Sequence, residues 1–220
     1  MDESRVERFR VGILEWSEDN VRRYPWRDPE SSLYEVFVAE FFLTQTPAEN
    51  VAQVYPKFLS QYPSLEAVRR SDVASLADAI EPLGFQNIRS EALFTIASEY
   101  DSLPTDPTDL RELPRVGEYV ANATACFALD AQIPILDRNV DRIYSRVFAD
   151  EWPESPSEQT EFAAHLLPEG EARKYNLALL DFAAAICTPE PRCSECFANE
   201  FCMYYQSTSA GVDGSGEWSE

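Results

Sequence analysis

The chain has 220 residues, of which 39 are acidic and 18 are lysine or arginine, so its formal net charge is -21 at pH 7. No apolar run is long enough to span a bilayer, and the length suits one domain or two small ones. An excess of acid ordinarily argues against a nucleic-acid partner, because contacts to phosphate need cationic side chains. A cytoplasm near molar salt explains the same composition, since the Debye length there is about 3 Å. The single histidine excludes chemistry that needs several histidines.

Apolar residues recur at helical spacing along nearly the whole chain, and no alternating pattern indicates a strand. The sequence therefore predicts an all-α fold. The most apolar predicted helix covers 31–43 and begins with the capping box Ser32-x-x-Glu35. Because it is apolar on nearly all faces, we expect it to be central. One carboxylate, Glu40, interrupts it.

The central helix is predicted to end at Thr44 and Gln45. Thr46 followed by Pro47 predicts the cap and the first position of the next helix. Helical spacing predicts further helices at 47–61, 64–70, 72–81, 87–100, 108–112, 118–129, 137–148, 157–166 and 170–186. Beyond Gln206 the chain is mostly Ser, Gly, Thr and acid, which predicts a disordered tail over 207–220.

Two short predicted helices between 108 and 129 are joined by a tight turn. The first ends at Pro114, and the turn contains Gly117. The unpaired N–H groups and the dipole at the start of the second helix attract anions such as phosphate. Arg111 and Arg115 add local positive charge that the net charge hides. For this segment alone, an ordinary helical hairpin remains the alternative.

Two carboxylates are predicted to lie in opposite environments. Asp137 follows an extended apolar segment and is placed as the N-cap of the next helix, a role worth about 1 kcal/mol that is a sufficient structural reason for the residue. The same backbone donors and the helix dipole keep that carboxylate ionised. Glu40, among Phe and Val, should instead have a raised pKa and could hold a proton at neutral pH. One anion and one acid would then be available.

Four cysteines are compressed into one loop-rich segment with the spacing Cys-x5-Cys-x2-Cys-x5-Cys, at Cys187, Cys193, Cys196 and Cys202. Four thiolates this close together suit a [4Fe-4S] cluster. Structural zinc is the less favoured alternative, because zinc sites usually separate their cysteine pairs more widely. Disulfides are the weaker interpretation. A chain of this length can bury its own core, no signal peptide precedes it, and reducing cytosol would keep thiols free.

The order of these parts resembles the endonuclease III and adenine glycosylase superfamily of base-excision DNA glycosylases. A helix-hairpin-helix, then an aspartate 18 residues after Tyr119, then four cysteines near the C-terminus is the pattern of that family. The resemblance covers roughly 8–206. It is closest to the archaeal thymine glycosylases that act on G:T mismatches. Further family signatures are Pro25-Trp26-Arg27, Val38-Ala39-Glu40, Leu43-Thr44-Gln45-Thr46 and Asn176-Leu177-Ala178-Leu179-Leu180-Asp181-Phe182.

The resemblance implies a two-lobed helical fold with mismatched or damaged double-stranded DNA held between the lobes by a monomer. One lobe would be a six-helix barrel over 26–132, and the other would join 1–25 to 133–206 and hold the [4Fe-4S] cluster. The resemblance also implies a nucleoid-associated, cytoplasmic location.

The resemblance assigns roles to individual residues. Asp137 would be the catalytic aspartate, which stabilises the positive charge that develops on the sugar. Gln45, after Thr44, would wedge into the space that the extruded nucleotide leaves. The hairpin of Leu113, Pro114, Arg115, Val116, Gly117 and Glu118 would bind phosphate. Arg115 stands where the family usually has a glycine, so a turn that needs positive φ would be strained there.

Tyr119 occupies the position at which bifunctional members carry the lysine that attacks the sugar. A phenol cannot form an imine, so we expect a monofunctional glycosylase that leaves an abasic site. Glu40 matches the acid that protonates adenine in adenine glycosylases, and could instead hydrogen-bond a flipped pyrimidine or a water. Removal of thymine or uracil opposite guanine is favoured, because the chain stops after the cysteines and 176–182 looks thymine-type. Adenine removal opposite guanine or 8-oxoguanine and a non-catalytic DNA-binding iron-sulfur module are the alternatives.

The cysteine segment also departs from the family pattern. Its first gap holds five residues where the family usually has six, which bears on the geometry of the cluster.

Overall fold

The structure is a computed structural model that describes residues 2–209. Over this range every regular element is helical, which confirms the all-α prediction. None of the described helices is both long and apolar enough to cross a bilayer. The α-helices, in chain order, are α1 (Glu3–Asn20), α2 (Leu33–Leu43), α3 (Ala48–Gln61), α4 (Leu65–Arg69), α5 (Val73–Ile80), α6 (Gln86–Glu99), α7 (Pro107–Arg111), α8 (Glu118–Leu129), α9 (Arg138–Val147), α10 (Pro156–Leu166), α11 (Ala172–Ala185) and α12 (Met203–Ser209).

The structure corrects two sequence-based expectations. Residues 207–209 belong to α12, so the predicted disorder is wrong for them, and 210–220 lie outside the described residues. Thr46 does not cap α3. The N-cap is Pro47, and no side chain caps this helix start, because the Thr46 hydroxyl instead donates to the carbonyl of Leu83, 3.2 Å away.

The described chain forms two compact units. The central unit is Arg23–Ala131, and the terminal unit joins 2–22 to 132–209. The resemblance predicts a central unit over 26–132, which differs from these bounds by three residues at its start and by one at its end.

In the central unit, α2 forms the core. All of its residues from Val36 to Phe42 are buried, and it packs against α8 and α3. The predicted capping box is confirmed: Ser32 accepts from the amide of Glu35, and the Glu35 carboxylate accepts from the amide of Ser32. Burying each large apolar side chain contributes roughly 2 kcal/mol, so this helix is fixed firmly enough to hold Glu40 inside it.

In the terminal unit, α1 packs along α11. A Cβ on Gly12 would lie 2.2 Å from the ring of Phe197, so only glycine lets α1 approach the cysteine segment this closely. The buried carboxylate of Asp181 accepts from the amide and guanidinium of Arg22 at 2.7 to 2.8 Å. These contacts tie the start of the chain to the helix that precedes the cysteines.

Candidate functional site

A cavity of about 410 Å³ opens on the central unit, and we call it the turn cavity. It is lined by Phe41, Thr44, Gln45, Phe85, Ile88, Arg89, Arg115, Gly117, Tyr119 and Val120. Half of these residues were predicted to belong to the site, and they come from two segments about 70 positions apart. Three other predicted DNA contacts, Arg111, Pro114 and Val116, are not in the lining.

Strained backbone surrounds the turn cavity. Gln45, Phe85 and Arg115 have φ values of 57°, 53° and 64°, in the left-handed region that disfavours residues other than glycine. Each such residue costs on the order of 1 kcal/mol or more and persists only where neighbouring contacts hold it. The hairpin therefore does need positive φ where Arg115 replaces glycine.

Glu40 is buried in α2 with 2 % of its surface exposed. Burial raises the pKa of its carboxyl to about 7, although a hydrogen bond from the Tyr119 hydroxyl and the charge of Arg27 act in the opposite direction. The carboxyl oxygen Oε2 has no hydrogen-bond partner among the described residues. The expected rise in the pKa of Glu40 is therefore present, and Tyr119 connects this acid to the turn cavity.

The helix-hairpin-helix lies between α7 and α8. The amide of Val116 donates to the carbonyl of Leu113 at 3.1 Å, and Gly117 is the N-cap of α8 without any side-chain cap. A Cβ placed on Gly117 would meet no described atom within 4 Å, so the start of α8 is open to a ligand. Nη1 of Arg111 lies 3.8 Å from the carboxylate of Glu118, which offsets part of its charge.

Asp137, in the terminal unit, is the N-cap of α9, as predicted. Its Oδ1 accepts from the backbone amides of Asn139 and Val140 at 2.9 and 2.8 Å. Its Oδ2 accepts from the Asn139 side-chain amide at 2.7 Å. Both oxygens therefore have donors, and the half-buried carboxylate is held in one orientation.

A chain of hydrogen bonds leads from Asp137 to the cysteine segment. Oδ1 of Asn139 accepts from Nη1 of Arg142 at 3.1 Å, and Nε of Arg142 donates to the carbonyl of Cys187 at 2.8 Å. The orientation of the carboxylate thus depends on two side chains and on the backbone of the first cysteine.

All four cysteines of the C-terminal segment line one small pocket together with Arg146 and Arg192. None of them is in a disulfide. Burial raises the pKa of Cys196 to about 11. Within 2–209, no group of three or more His, Cys, Asp or Glu side chains is arranged to hold a single metal ion. The donor set is therefore four cysteines that line one pocket.

Arg146, on α9, binds the start of the cysteine segment. Its guanidinium donates to the carbonyls of Thr188 and Pro189 at 2.6 and 2.9 Å, and Nη1 lies 3.5 Å from Sγ of Cys187. Its carbon Cζ is 4.8 Å from the ring centroid of Tyr204 on α12. One side chain thus supplies positive charge beside the thiols and fixes the loop that carries the first of them.

Residues 38–169 match the family model of the HhH-GPD superfamily base excision DNA repair proteins. The chain belongs to this superfamily. The family prediction and the predicted glycosylase-type fold are therefore confirmed, and the helix-hairpin-helix and Asp137 lie inside the matched range. How the individual residues contribute to activity stays a prediction.

Two relatives and one solved structure of the HhH-GPD superfamily bear on the choice of substrate. A thymine-DNA glycosylase from Aeropyrum pernix is 31% identical, over 94% of this chain and 98% of the relative. An adenine DNA glycosylase from Mycolicibacterium smegmatis is 35% identical, over 84% of this chain but 66% of the relative. The solved structure of a thermostable thymine-DNA glycosylase matches with a TM-score of 0.88 at 29% identity, covering 93% of this chain and 98% of that one.

Five residues of the turn cavity had no predicted role in this HhH-GPD protein. Phe41 and Val120 belong to α2 and α8, which carry the predicted motifs, whereas the other three come from a segment that no predicted motif covers. Phe85 and Ile88 are large apolar side chains with 57% and 43% of their surfaces exposed, and Arg89 has 4% exposed. The one available signal was Gly84-Phe85, a glycine and an aromatic residue directly before a helix. That signal is weak, because such a residue more often packs in the core.

Proposed function

We propose that the protein is a monofunctional DNA glycosylase that removes thymine or uracil opposite guanine and leaves an abasic site. The observation that carries this proposal is the hydrogen bond from Tyr119 to the buried Glu40, at the position where a lyase would need an amine. The near-complete coverage of a thymine-DNA glycosylase supports the same substrate class.

The proposed reaction breaks the N-glycosidic bond of an extruded nucleotide, with water as the second reactant. Positive charge develops on the sugar as the bond lengthens, and the Asp137 carboxylate stabilises that charge and orients the water. Asn139 and the backbone amides at the start of α9 keep the carboxylate in place without reorganisation.

The leaving base is the proposed ligand of Glu40 and Tyr119. Negative charge develops on a departing pyrimidine, and a donor aimed at one of its carbonyl oxygens stabilises that charge. With a pKa of about 7, Glu40 retains a proton on a substantial fraction of molecules near neutral pH. Its partnerless Oε2 marks a hydrogen-bonding position that a base or a water molecule can fill.

The turn cavity is the proposed contact with distorted DNA. A mismatched base pair costs less free energy to open than a Watson–Crick pair, which favours mismatches as substrates. Gln45 is exposed on its turn and is assigned to the space left in the duplex. The exposed ring of Phe85 offers a surface on which a base can stack. The open start of α8 and Arg115 are assigned to a backbone phosphate.

We infer the absence of lyase activity from the distribution of lysine amines. The 220-residue sequence contains two lysines, Lys57 in α3 and Lys174 in α11. Neither belongs to the lining of the turn cavity. A lyase step needs a nucleophilic amine that forms a Schiff base, and the Tyr119 phenol cannot do so.

We further propose that Cys187, Cys193, Cys196 and Cys202 hold a [4Fe-4S] cluster. Iron-sulfur clusters are held by cysteine thiolates, and all four cysteines line one pocket. A structural zinc ion instead requires its sulfurs within about 2.3 Å of a single point. Arg146 and Arg192 supply positive charge beside the proposed cluster. When bound, the cluster would fix the fold of this segment, and no step of the proposed hydrolysis passes through it.

Adenine removal is the second candidate, and one observation favours it. A purine leaves more easily when a carboxylic acid protonates it, and the raised pKa of Glu40 provides such an acid. The thymine-DNA glycosylase relative, which is 31% identical over 94% of this chain, supports the first candidate instead.

The test is a panel of duplexes incubated in concentrated potassium chloride, with pairs G:T, G:U, A:G, A opposite 8-oxoguanine, and thymine glycol. We expect cleavage of the G:T and G:U strands after alkali and none before it. Cleavage only at adenine would transfer the proposal to the second candidate, and cleavage without alkali would refute the monofunctional assignment. No cleavage of any duplex would favour a non-catalytic DNA-binding module.

The iron and acid-labile sulfide content of the purified protein tests the proposed cluster.

A further inference from the structure

Arg89 is a buried cation that no carboxylate of residues 2–209 neutralises. It lies on α6 with 4% of its surface exposed. Among the described residues it forms no ion pair, and its Nη1 has no hydrogen-bond partner. Burial lowers the pKa of its guanidinium. A charged group in this position is costly to keep, so the contacts that it does make point to its role.

Those contacts flank the strained turn at Gln45. Nη2 of Arg89 donates to the backbone carbonyl of Thr44 at 2.6 Å and to the hydroxyl oxygen of Thr46 at 2.8 Å. One nitrogen therefore bridges the residues immediately before and after the residue with positive φ. A bridge of this kind restrains the turn from relaxing to ordinary backbone angles.

The same network reaches the second strained turn. The Thr46 hydroxyl donates to the carbonyl of Leu83 at 3.2 Å, two residues before Phe85. The backbone amide of Arg89 donates to the carbonyl of Phe85 at 3.0 Å. Cζ of the guanidinium lies 5.9 Å from the centroid of the Phe85 ring. Gln45 and Phe85, 40 positions apart in the sequence, are thus held by one arginine and one threonine.

We propose that Arg89 is a positioning residue that holds Gln45 and Phe85 in their strained conformations before DNA arrives, so that both side chains are ready to fill the space left by an extruded nucleotide. The inference rests on the proposed function for its purpose, but the restraint itself belongs to the free protein. A turn that is ordered in advance loses less conformational freedom when it inserts into DNA. Arg89 contacts neither base nor sugar in this scheme.

The first experiment measures the free protein by amide hydrogen exchange in Arg89→Met, Arg89→Lys and Thr46→Val. Two amides report on the turns: that of Thr46, bonded to the carbonyl of Leu43, and that of Gly84, bonded to the carbonyl of Glu81. We expect exchange at both to be roughly tenfold faster in Arg89→Met and Thr46→Val, as for loss of about one hydrogen bond. Arg89→Lys, which keeps a donor, should recover part of the protection.

The matched control is Arg70→Met. Arg70 belongs to the same unit, is exposed, and pairs with Glu66 one turn earlier. It should leave exchange at Thr46 and Gly84 unchanged. Unchanged exchange in both Arg89→Met and Thr46→Val would overturn the proposal. If Arg89→Met does not fold, the near-isosteric Thr46→Val decides, because it removes the link between the two turns without removing the charge.

The second experiment follows extrusion with 2-aminopurine placed beside the mismatch, in an Asp137→Asn background that prevents excision. We expect Arg89→Met and Thr46→Val to lower the fluorescence gain and, with Asp137 present, the single-turnover rate by about tenfold. Thr46 is not in the lining of the turn cavity, so Thr46→Val should leave binding to undamaged duplex unchanged. Normal extrusion and excision in both variants would contradict the positioning role. Failure of the proposed function is distinguishable, because the wild-type protein would then excise no base while the exchange result still stands.

Discussion

The Tyr119 hydroxyl donates a hydrogen bond to the buried carboxyl of Glu40, and the other oxygen of that carboxyl, Oε2, has no partner among the described residues. A buried carboxyl with one free oxygen is destabilising to the fold, and more so when it is charged. Its presence in the buried helix α2 is therefore better explained by chemistry than by stability.

Replacement of Glu40 by Gln should stabilise the protein in a pH-dependent way. The pKa of Glu40 is raised by burial from 4.5 to about 7, so the folded state binds the proton more tightly than the unfolded state. Wild-type stability should therefore fall as pH rises from about 4.5 to about 7 and then level off. We expect Glu40→Gln to remove this loss, with an advantage that grows to roughly 3 kcal/mol above pH 7.

Urea unfolding at several pH values measures the effect of Glu40→Gln, and Glu99→Gln on the exposed side of α6 corrects for the loss of one acidic side chain. A constant advantage across the pH range would show that the carboxyl does not titrate there. Excision should also decline as pH rises through 7 in the wild type if the protonated form binds the leaving base.

Asn139→Ala should slow excision without weakening DNA binding. The variant keeps the backbone amide that donates to Asp137 but removes the side-chain donor 2.7 Å from Oδ2. Losing one hydrogen bond to a charged group corresponds to a rate reduction of roughly tenfold to a hundredfold. Single-turnover kinetics beside a binding titration measure the two quantities. Asn20→Ala, at an exposed site on α1, is the control, and equal losses in both variants would count against the orienting role.

Features that depend on a few neighbouring residues could be predicted from the sequence. The Ser32 and Glu35 capping box and the Asp137 N-cap join side chains to amides two or three positions away, so the sequence pattern nearly determines them. Helix α12 could not be predicted from its polar composition. Its first turn is fixed by tertiary contacts, since the guanidinium of Arg146 lies over the ring of Tyr204.

The missed part of the turn cavity has the same explanation. Arg89 donates hydrogen bonds to Thr46 and Thr44, which precede it in the sequence by 43 and 45 positions. No local sequence pattern specifies a contact over that distance. Phenylalanine is typical of a protein core, so the residue type of Phe85 does not indicate a site. Only its positive φ and its exposed ring distinguish it from a core residue, and both are known from the structure alone. Single-sequence reasoning thus finds the residues of local motifs and misses the residues that hold two motifs together.

Arg146→Met should lower the iron and sulfide content of the purified protein. The change removes two hydrogen bonds to the backbone of residues 188 and 189 and a positive charge 3.5 Å from Sγ of Cys187. Excision should fall in proportion to the cluster content. No step of the proposed reaction uses the cluster, but the cluster would fix the fold of the segment to which Asn139 and Asp137 are linked through Arg142. The control is Lys174→Met, which removes an exposed ion pair with Glu18 in the same unit but outside the cysteine segment. Full cluster content in Arg146→Met would argue against its supporting role.

Arg115→Gly separates backbone strain from phosphate binding. The φ of 64° at Arg115 suits glycine, so the variant should gain on the order of 1 kcal/mol in unfolding free energy. If the arginine contacts a backbone phosphate, affinity for DNA should fall for every sequence, and the slope of log affinity against log salt should decrease by about 1. Both quantities are measurable by urea unfolding and by binding titrations at several salt concentrations.

Asp130→Gly is the matched control for Arg115→Gly. Asp130 ends α8 with a φ of 54° and lies outside the turn cavity, so replacing it by glycine relieves the same kind of strain without touching the proposed phosphate site. The control should be stabilised while its salt slope stays unchanged. An unaltered salt slope in Arg115→Gly as well would mean that the arginine is strained without binding phosphate, and the hairpin would then hold DNA through the start of α8 alone.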